Sequence, residues 1–258
     1  MNDLKHLVLK YGKDKINTLT KYPSILTLHK LGEKGKLTNE LTTNVCGVEL
    51  YGTEKIDGTN VRIICYGSEY LIGSRENILY YSSDLYYDQS QGIVEGINSL
   101  NIIMPKTYKF TVIYGELYGG KVSSNSKWYG QDNLGFRVFD VAVYDDSSIL
   151  DKSLPEISRW RETETENGII YGQNFIPRKE IIDIIPDFEL VPLVSTDFGE
   201  LIDFSHQNVL HYLRTYIPKT NVALSDNATK KAEGLVLRTD DRSKIVKIRF
   251  EDYERTLR

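Results

Sequence analysis

Short runs of β-branched and aromatic residues mixed with polar ones recur along this chain. They are Val48 to Ile56, Asn60 to Tyr66, Tyr70 to Ser74, Lys109 to Leu117, Phe136 to Tyr144, Phe188 to Leu193, Glu233 to Arg238 and Lys244 to Phe250, and Gly, Asn, Asp or Ser punctuate their ends. That pattern predicts strands. Helical spacing is rarer. It predicts helices over Asp84 to Leu100, over Pro177 to Ile185 and most strongly over Phe198 to Tyr216, where Leu201, Ile202, Phe204, Val209, Leu210 and Leu213 recur at helical intervals. Strands and helices are not regularly interleaved, which argues against a doubly wound parallel sheet and predicts an α+β fold built largely on antiparallel sheet. The Ser- and Asp-rich stretch Asp145 to Pro155 reads as a loop, and there is no internal repeat or low-complexity tract.

With 258 residues, 40% hydrophobic and 26% charged, the chain is long enough to bury a substantial core without disulfides or structural metals. No stretch of about 20 apolar residues could span a bilayer, and charges interrupt every apolar run in Met1 to Tyr11, unlike a secretory signal. A cytoplasmic address is expected. Two cysteines, Cys46 and Cys65, lack the spacing of a zinc site or redox pair and are expected to be small buried residues. His206 and His211 are five apart, not the four that aligns two ligands on a helix.

The formal charge of −4 offers no global attraction for a nucleic acid, so any such partner must be held by local patches. Three candidates are His29 to Lys36, Lys230 with Lys231, and Arg242 to Arg249; each also reads as an ordinary solvated surface. Tyrosine is abundant, 18 against 8 Phe, with a cluster at Tyr80, Tyr81, Tyr86 and Tyr87. Such residues suit the edge of a core, or stacking on bases where they face solvent.

The strongest chemical signal is Glu54-Lys55-Ile56-Asp57-Gly58-Thr59-Asn60, between two predicted strands. A lysine set there, followed by a carboxylate and a turn glycine, is a candidate nucleophile if its surroundings permit the uncharged amine. Taken alone, the same residues describe an ordinary β-turn. Further short motifs follow in order: Ser74-Arg75, Tyr114 to Gly120 (YGELYGG), Phe136 to Asp140 (FRVFD), Ala232 to Leu237 (AEGLVL) and Ile245 to Arg249 (IVKIR).

In these motifs the sequence resembles the covalent nucleotidyltransferases: ATP-dependent DNA ligases, RNA ligases and mRNA-capping guanylyltransferases. Within that superfamily the Glu-Lys-Ile-x-Gly-Thr-Asn run, with Lys21 to Ile25 (KYPSI), is most similar to RNA ligases of the type of the second RNA ligase of bacteriophage T4 and the trypanosome RNA-editing ligases. The likeness runs from Lys21 to Arg249. It departs at Asp57, where those ligases usually carry His, and at Arg249, where a second Lys is usual.

The resemblance implies two antiparallel sheets flanked by helices, with the nucleotide in the cleft between them. It implies three steps: Lys55 takes AMP from ATP, AMP passes to a 5′-phosphate, and a 3′-hydroxyl displaces it. Lys247 and Arg249 lie at alternate strand positions, share a face and can both reach the α-phosphate. By resemblance Glu116 accepts a ribose hydroxyl, Phe136 stacks on adenine, Glu54 contacts the adenine edge, and Arg75 and Asn60 bind nucleotide or strand end. Glu233 resembles the carboxylate that coordinates metal, with Asp57 as a second; such oxygen ligands suit Mg²⁺ or Mn²⁺.

RNA is the expected partner, acted on by a monomer. A minimal DNA ligase is the alternative that Asp57 favours, and a non-catalytic nucleotide-binding descendant of the fold is the alternative from another class. Residues 1–258 read as a single nucleotidyltransferase domain. Only nine residues follow Arg249, so no C-terminal OB-fold is expected, and a strand-binding domain would come from a missing part or a partner.

Overall fold

A computed structural model describes residues 4–83, 88, 92–165, 168–195, 198 and 203–258. The chain begins with helices α1 (Leu4–Tyr11) and α2 (Lys13–Thr20), then a hairpin of β1 (His29–Leu31) and β2 (Leu37–Leu41). Next come β3 (Tyr51–Lys55), β4 (Thr59–Gly67), β5 (Glu69–Ser74), β6 (Ile78–Tyr81), α3 (Ile93–Ser99), β7 (Thr107–Gly119), β8 (Leu134–Tyr144) and α4 (Leu154–Arg161). A small hairpin of β9 (Thr163–Thr165) and β10 (Gly168–Ile170) leads to α5 (Arg178–Ile184), β11 (Leu193–Ser195), α6 (His206–Tyr216), β12 (Gly234–Arg238), β13 (Ile245–Arg249) and α7 (Phe250–Leu257).

Two antiparallel sheets result, one of five strands in the order β6-β5-β4-β7-β8 and one of four in the order β11-β3-β12-β13. This is the α+β architecture the sequence predicts. The five-stranded sheet is covered on both faces. From β4, Val61, Ile63 and Cys65 pack on one side with Ile93 and Ile97 of α3 and Ile181 of α5. Ile64 faces the other side, with Leu4 and Leu7 of α1, Ile16 and Leu19 of α2, and Ile157 of α4. Helices of eight residues do not persist alone in water. Each fully buried Leu or Ile contributes about 1.5–3 kcal/mol, so packing of the Ile16 and Leu19 stripe is what holds α2. The four-stranded sheet buries Leu235, Leu237, Val246 and Ile248 against Val209 and Leu213 of α6 and Tyr253 of α7.

Arg62 is wholly buried on the α2 side of β4, where its Nη1 donates to the Asn17 carbonyl at 2.8 Å and the Thr20 hydroxyl at 3.1 Å. Burial pushes its pKa down to about 10. Gly73 is required beside it, because a Cβ there would lie 2.8 Å from Arg62 Nε.

Several expectations change. Of the predicted strand Phe188 to Leu193, only the end enters a strand, yet the stretch joins the two sheets. The Val138 N–H donates to the Glu189 carbonyl at 2.9 Å and the Val191 N–H to the Val138 carbonyl at 2.8 Å, while the Glu54 N–H donates to the Pro192 carbonyl at 3.0 Å. Proline has no N–H to continue a ladder, which limits this stretch as a regular strand. Within Asp84 to Leu100, residues 84–87 and 89–91, Tyr86 and Tyr87 among them, lie outside the described residues, as do Leu201 and Ile202. Cys65 is buried as expected, but Cys46 is exposed. In the predicted basic patches, His29 and Arg242 are 2% and 3% exposed and therefore offer no surface charge. Among the described residues no helix is long and apolar enough to cross a membrane.

Candidate active site

Between the two sheets lies a cleft of about 570 Å³. The four-stranded wall supplies Lys55 from the end of β3, Val236 and Arg238 from β12, and Lys247 and Arg249 from β13. The five-stranded wall supplies Asn60 from β4, Glu116 from β7 and Phe139 with Asp140 from β8, with Arg75 just past β5. Residues Tyr22 to Ile25 close one side. They are held there because the chain continues along β13, where the Lys247 N–H donates to the Leu26 carbonyl at 2.8 Å and the Leu28 N–H to the Lys247 carbonyl at 3.0 Å.

Lys55 Nζ donates to Glu233 Oε2 at 2.7 Å across the β3–β12 register, in which Lys55 sits opposite Gly234. Two glycines shape this corner. A Cβ on Gly58 would lie 2.3 Å from the Leu117 carbonyl oxygen, and one on Gly234 would lie 2.0 Å from that of Ile248, so neither position accepts a side chain. Burial raises the Glu233 carboxyl above its ordinary value, with Lys55 partly opposing it. Glu116 is pushed up to about 8, first by burial and then by the Glu233 and Asp57 charges, against Lys55 and the Gly58 N–H, which donates to its Oε1 at 3.1 Å.

The Glu116 shift has a measurable consequence. Between pH 4.5 and about 8 the folded chain keeps a proton that the unfolded chain has released, so this group makes stability fall as pH rises through that window. Glu116→Gln removes the penalty while keeping an oxygen for Gly58. The variant is expected to gain about 2 kcal/mol at pH 9, discounted for the edge of the carboxyl that meets the cleft. At pH 5 it should gain little. Thermal unfolding at the two pH values checks this, and equal shifts at both would contradict it.

Lys247, Arg249, Lys55 and Arg75 form a cationic group. Burial lowers the Lys247 pKa, and the neighbouring charges of Arg249, Lys55 and Arg75 lower it further. Arg249 is held by a two-pronged pair with buried Asp252, from Nε at 2.8 Å and from Nη2 at 2.9 Å, which leaves Nη1 for a phosphate oxygen. Asn60 Oδ1 is buried in the cleft with no hydrogen-bond partner among the described residues. A cluster of cations suits a polyanionic ligand, while the Asn60 amide oxygen, an acceptor, is open to a ligand hydroxyl or N–H.

One site expectation is corrected. Phe136 lies on the far face of the five-stranded sheet, in the core with Ile113, Val138 and Phe188, and not in the cleft. The aromatic rings at the cleft are Phe139 and Tyr22, edge-on to each other at 4.9 Å between centroids. The cause is a bulge: Tyr114 pairs with Asp140 but Gly115 with Val138, so Phe139 is the extra residue and the faces exchange there. Asp57, like Glu233, stands just behind the lining. Its Oδ2 accepts from Asn125 Nδ2 at 2.7 Å and its N–H donates to the Tyr129 hydroxyl at 2.7 Å, so one carboxylate oxygen is already engaged, while its charge helps to raise Glu116 and Glu233.

Glu54 is 2% exposed, and its carboxylate accepts from the Thr220 hydroxyl and from the Asn221 N–H, the latter at 2.9 Å. Its side chain is therefore committed to anchoring residues 220–222 beneath β3. Sequence reasoning gave no role to the charged network in the cleft wall. Asp140 accepts from Arg238, from Arg242 Nε at 3.1 Å and from the Tyr22 hydroxyl at 2.5 Å. Burial alone would raise the Asp140 carboxyl, and the two guanidiniums more than offset it, holding it below its ordinary value. Tyr22 and Asp140 stand inside motifs that the sequence does display, so their presence there was the available signal.

Among the described residues no three His, Cys, Asp or Glu side chains converge on a metal position. Glu116 and Glu233 do flank Lys55. Two carboxylates with room for waters and phosphate oxygens fit a hard divalent cation shared with a bound triphosphate better than a closed protein cage.

No curated protein matches the chain. Similar solved structures include a point mutant of Naegleria gruberi RNA ligase with ATP and Mn, 15% identical, covering 92% of this chain and 62% of that one at a TM-score of 0.47. The same organism's RNA ligase with PPi is 15% identical over 91% of this chain and 63% of that one, TM-score 0.46. A mutant with AMP and Mn gives 15%, 90%, 61% and 0.46. The chain thus spans less than two thirds of the length of these ligases. A family model described as RNA ligase matches residues 48–249, well over half of the chain and every motif from Lys55 to Arg249. The chain belongs to the RNA ligase family.

Proposed function

We propose that this chain is the adenylyl-transferring part of an ATP-dependent RNA ligase, of the kind typified by the second RNA ligase of bacteriophage T4, with Lys55 as the covalent nucleophile. The observation that carries this is the position of Lys55. Its amine stands in the cleft, 2.7 Å from Glu233 and facing the cations Lys247, Arg249 and Arg75.

In the first step the uncharged Lys55 amine attacks the α-phosphorus of ATP. An N–P bond forms, the bond from that phosphorus to the bridging oxygen breaks, pyrophosphate leaves and the amine loses a proton. Lys247 and Arg249 stabilise the charge that builds on the α-phosphate oxygens. Val236 and Phe139, from opposite walls, provide apolar surfaces for a purine. Glu233 and Glu116 would hold Mg²⁺ or Mn²⁺, which would neutralise part of the triphosphate charge. AMP then passes to a 5′-phosphate, and a 3′-hydroxyl displaces it to form the phosphodiester.

Incubation with α-labelled ATP and Mg²⁺ or Mn²⁺, followed by denaturing electrophoresis and peptide mass spectrometry, is expected to place one adenylate on Lys55, with far less label from GTP. Sealing assays with RNA or DNA on either side of a break then rank the substrates. An absence of label under all these conditions, or label on another residue, sinks the proposal.

A further inference from the structure

One of the basic pairs found in the sequence, Lys230 with Lys231, is not used by the nucleotide cleft. Lys231 is exposed, and its ammonium lies over the ring of Trp128, 4.9 Å from the centroid. Lys127 is exposed next to the half-buried Trp128. Backbone bonds lock the two segments together: the Thr229 N–H donates to the Lys127 carbonyl and the Lys230 N–H to the Trp128 carbonyl, both at 3.0 Å.

Lys230 is held in the left-handed region, at φ 56°, a conformation a non-glycine residue rarely adopts. Its two backbone groups fix it there, since its carbonyl also accepts from the Thr220 N–H at 2.9 Å. The outcome is a ledge on which a half-buried indole, packed from below by the Ile56 and Tyr118 cluster, carries the Lys231 ammonium, with cations at 127 and 230 beside it and the exposed Asp226 4.0 Å from Lys230.

This ledge is joined rigidly to the nucleophile. Tyr129, next to Trp128, accepts the Asp57 N–H at 2.7 Å, and Asn125 in the same loop donates to the Asp57 carboxylate. On the other side Lys231 is two residues from Glu233, at most about 7 Å along the backbone, and Glu233 contacts Lys55.

We infer that the Trp128–Lys231 ledge, flanked by Lys127 and Lys230, is the seat of the polynucleotide strand whose end is presented to Lys55. The ligand class is single-stranded nucleic acid near its terminus. A base takes the place of the Lys231 ammonium on the indole, and that ammonium and the neighbouring lysines take the flanking phosphates, the combination of aromatic face and cations by which strands are gripped irrespective of sequence. The inference rests on the ligase reading for its choice of partner, but its test does not depend on adenylylation.

The protein has two tryptophans, Trp128 and the distant Trp160, so a Trp160→Phe background isolates the indole of interest. In that background a short 5′-phosphorylated oligoribonucleotide is expected to quench Trp128 fluorescence. Trp128→Leu keeps an apolar side chain for packing but no aromatic face. With binding followed by anisotropy of a labelled oligonucleotide, it should weaken Kd about 5- to 150-fold. Lys231→Glu, at an exposed position that threatens no core, should weaken Kd about tenfold and reduce the salt dependence by about one phosphate contact.

Self-adenylylation, which needs no strand, should remain within about twofold of wild type in both variants. An unchanged Kd in both variants overturns the inference. So does equal displacement of the oligonucleotide by polyglutamate, which would mark an acidic protein as the occupant. If strands bind through the ledge as described while no adenylate forms on wild-type protein, the ledge stands and the nucleotide assignment falls.

Discussion

Lys55→Arg abolishes covalent labelling from α-labelled ATP, by at least about 10³-fold, while leaving the fold intact. Arginine keeps a cation opposite Glu233 but stays protonated, so it has no lone pair for phosphorus. Loss of a covalent nucleophile is felt on that scale because the remaining groups only bind and polarise. Unlike alanine, arginine does not leave the Glu233 carboxylate, 14% exposed, without its positive partner, so a failure to label cannot be blamed on an unpaired buried charge. Labelling measured by electrophoresis, with circular dichroism as the control for folding, checks the result. Retained label at even a tenth of wild type would mean that another side chain carries the adenylate.

Asp140→Ala should be the most destabilising single change in the cleft wall. Asp140, Arg238 and Arg242 are 1%, 4% and 3% exposed, and the carboxylate is the shared partner of both guanidiniums. Removing it leaves two buried positive charges without compensation, at a cost of about 3–5 kcal/mol. For a chain of this length that corresponds to roughly 10 °C in Tm. Because the folded-state pKa of Asp140 is depressed, its contribution is complete above the ordinary aspartate value and is lost as pH falls through the depressed one. The gap between wild type and variant should therefore be full at pH 7 and close in strong acid. A Tm change below about 3 °C at pH 7 would show that the two arginines find other partners. Arg238 also lines the cleft, so a variant that folds is expected to bind nucleotide more weakly.

The long strands were legible because their sequences carry the signal that burial imposes. Strands β4, β7 and β8 are rich in β-branched and aromatic residues and bounded by turn residues, and the structure extends each by only a residue or two at an end. Helix α2 escaped notice for the opposite reason. Its sequence KDKINTLT has weak intrinsic helicity, and Ile16, Leu19 and Thr20 become a helical stripe only once the sheet is there to receive them.

At the site, Lys55, Asn60, Arg75, Glu116, Lys247 and Arg249 were readable from motif order, and all six line the cleft. Phe136 was assigned by resemblance, and the motif holds a second aromatic, Phe139, which an extra residue turns to the opposite face with no mark in the sequence. The groups that engage Asp57, Asn125 and Tyr129, are 68 and 72 residues away, so nothing near it in the sequence announces them. The Asp140 network joins positions 22, 140, 238 and 242, and no local pattern predicts a meeting over such separations.

The stretch from Glu189 to Pro192 bonds to Val138 in one sheet and to Glu54, the residue before the nucleophile, in the other. One short length of backbone is thus fastened to both walls, so the spacing of β8 from β3 at this point is set by three hydrogen bonds, and any opening of the cleft must either pivot about that strap or break them.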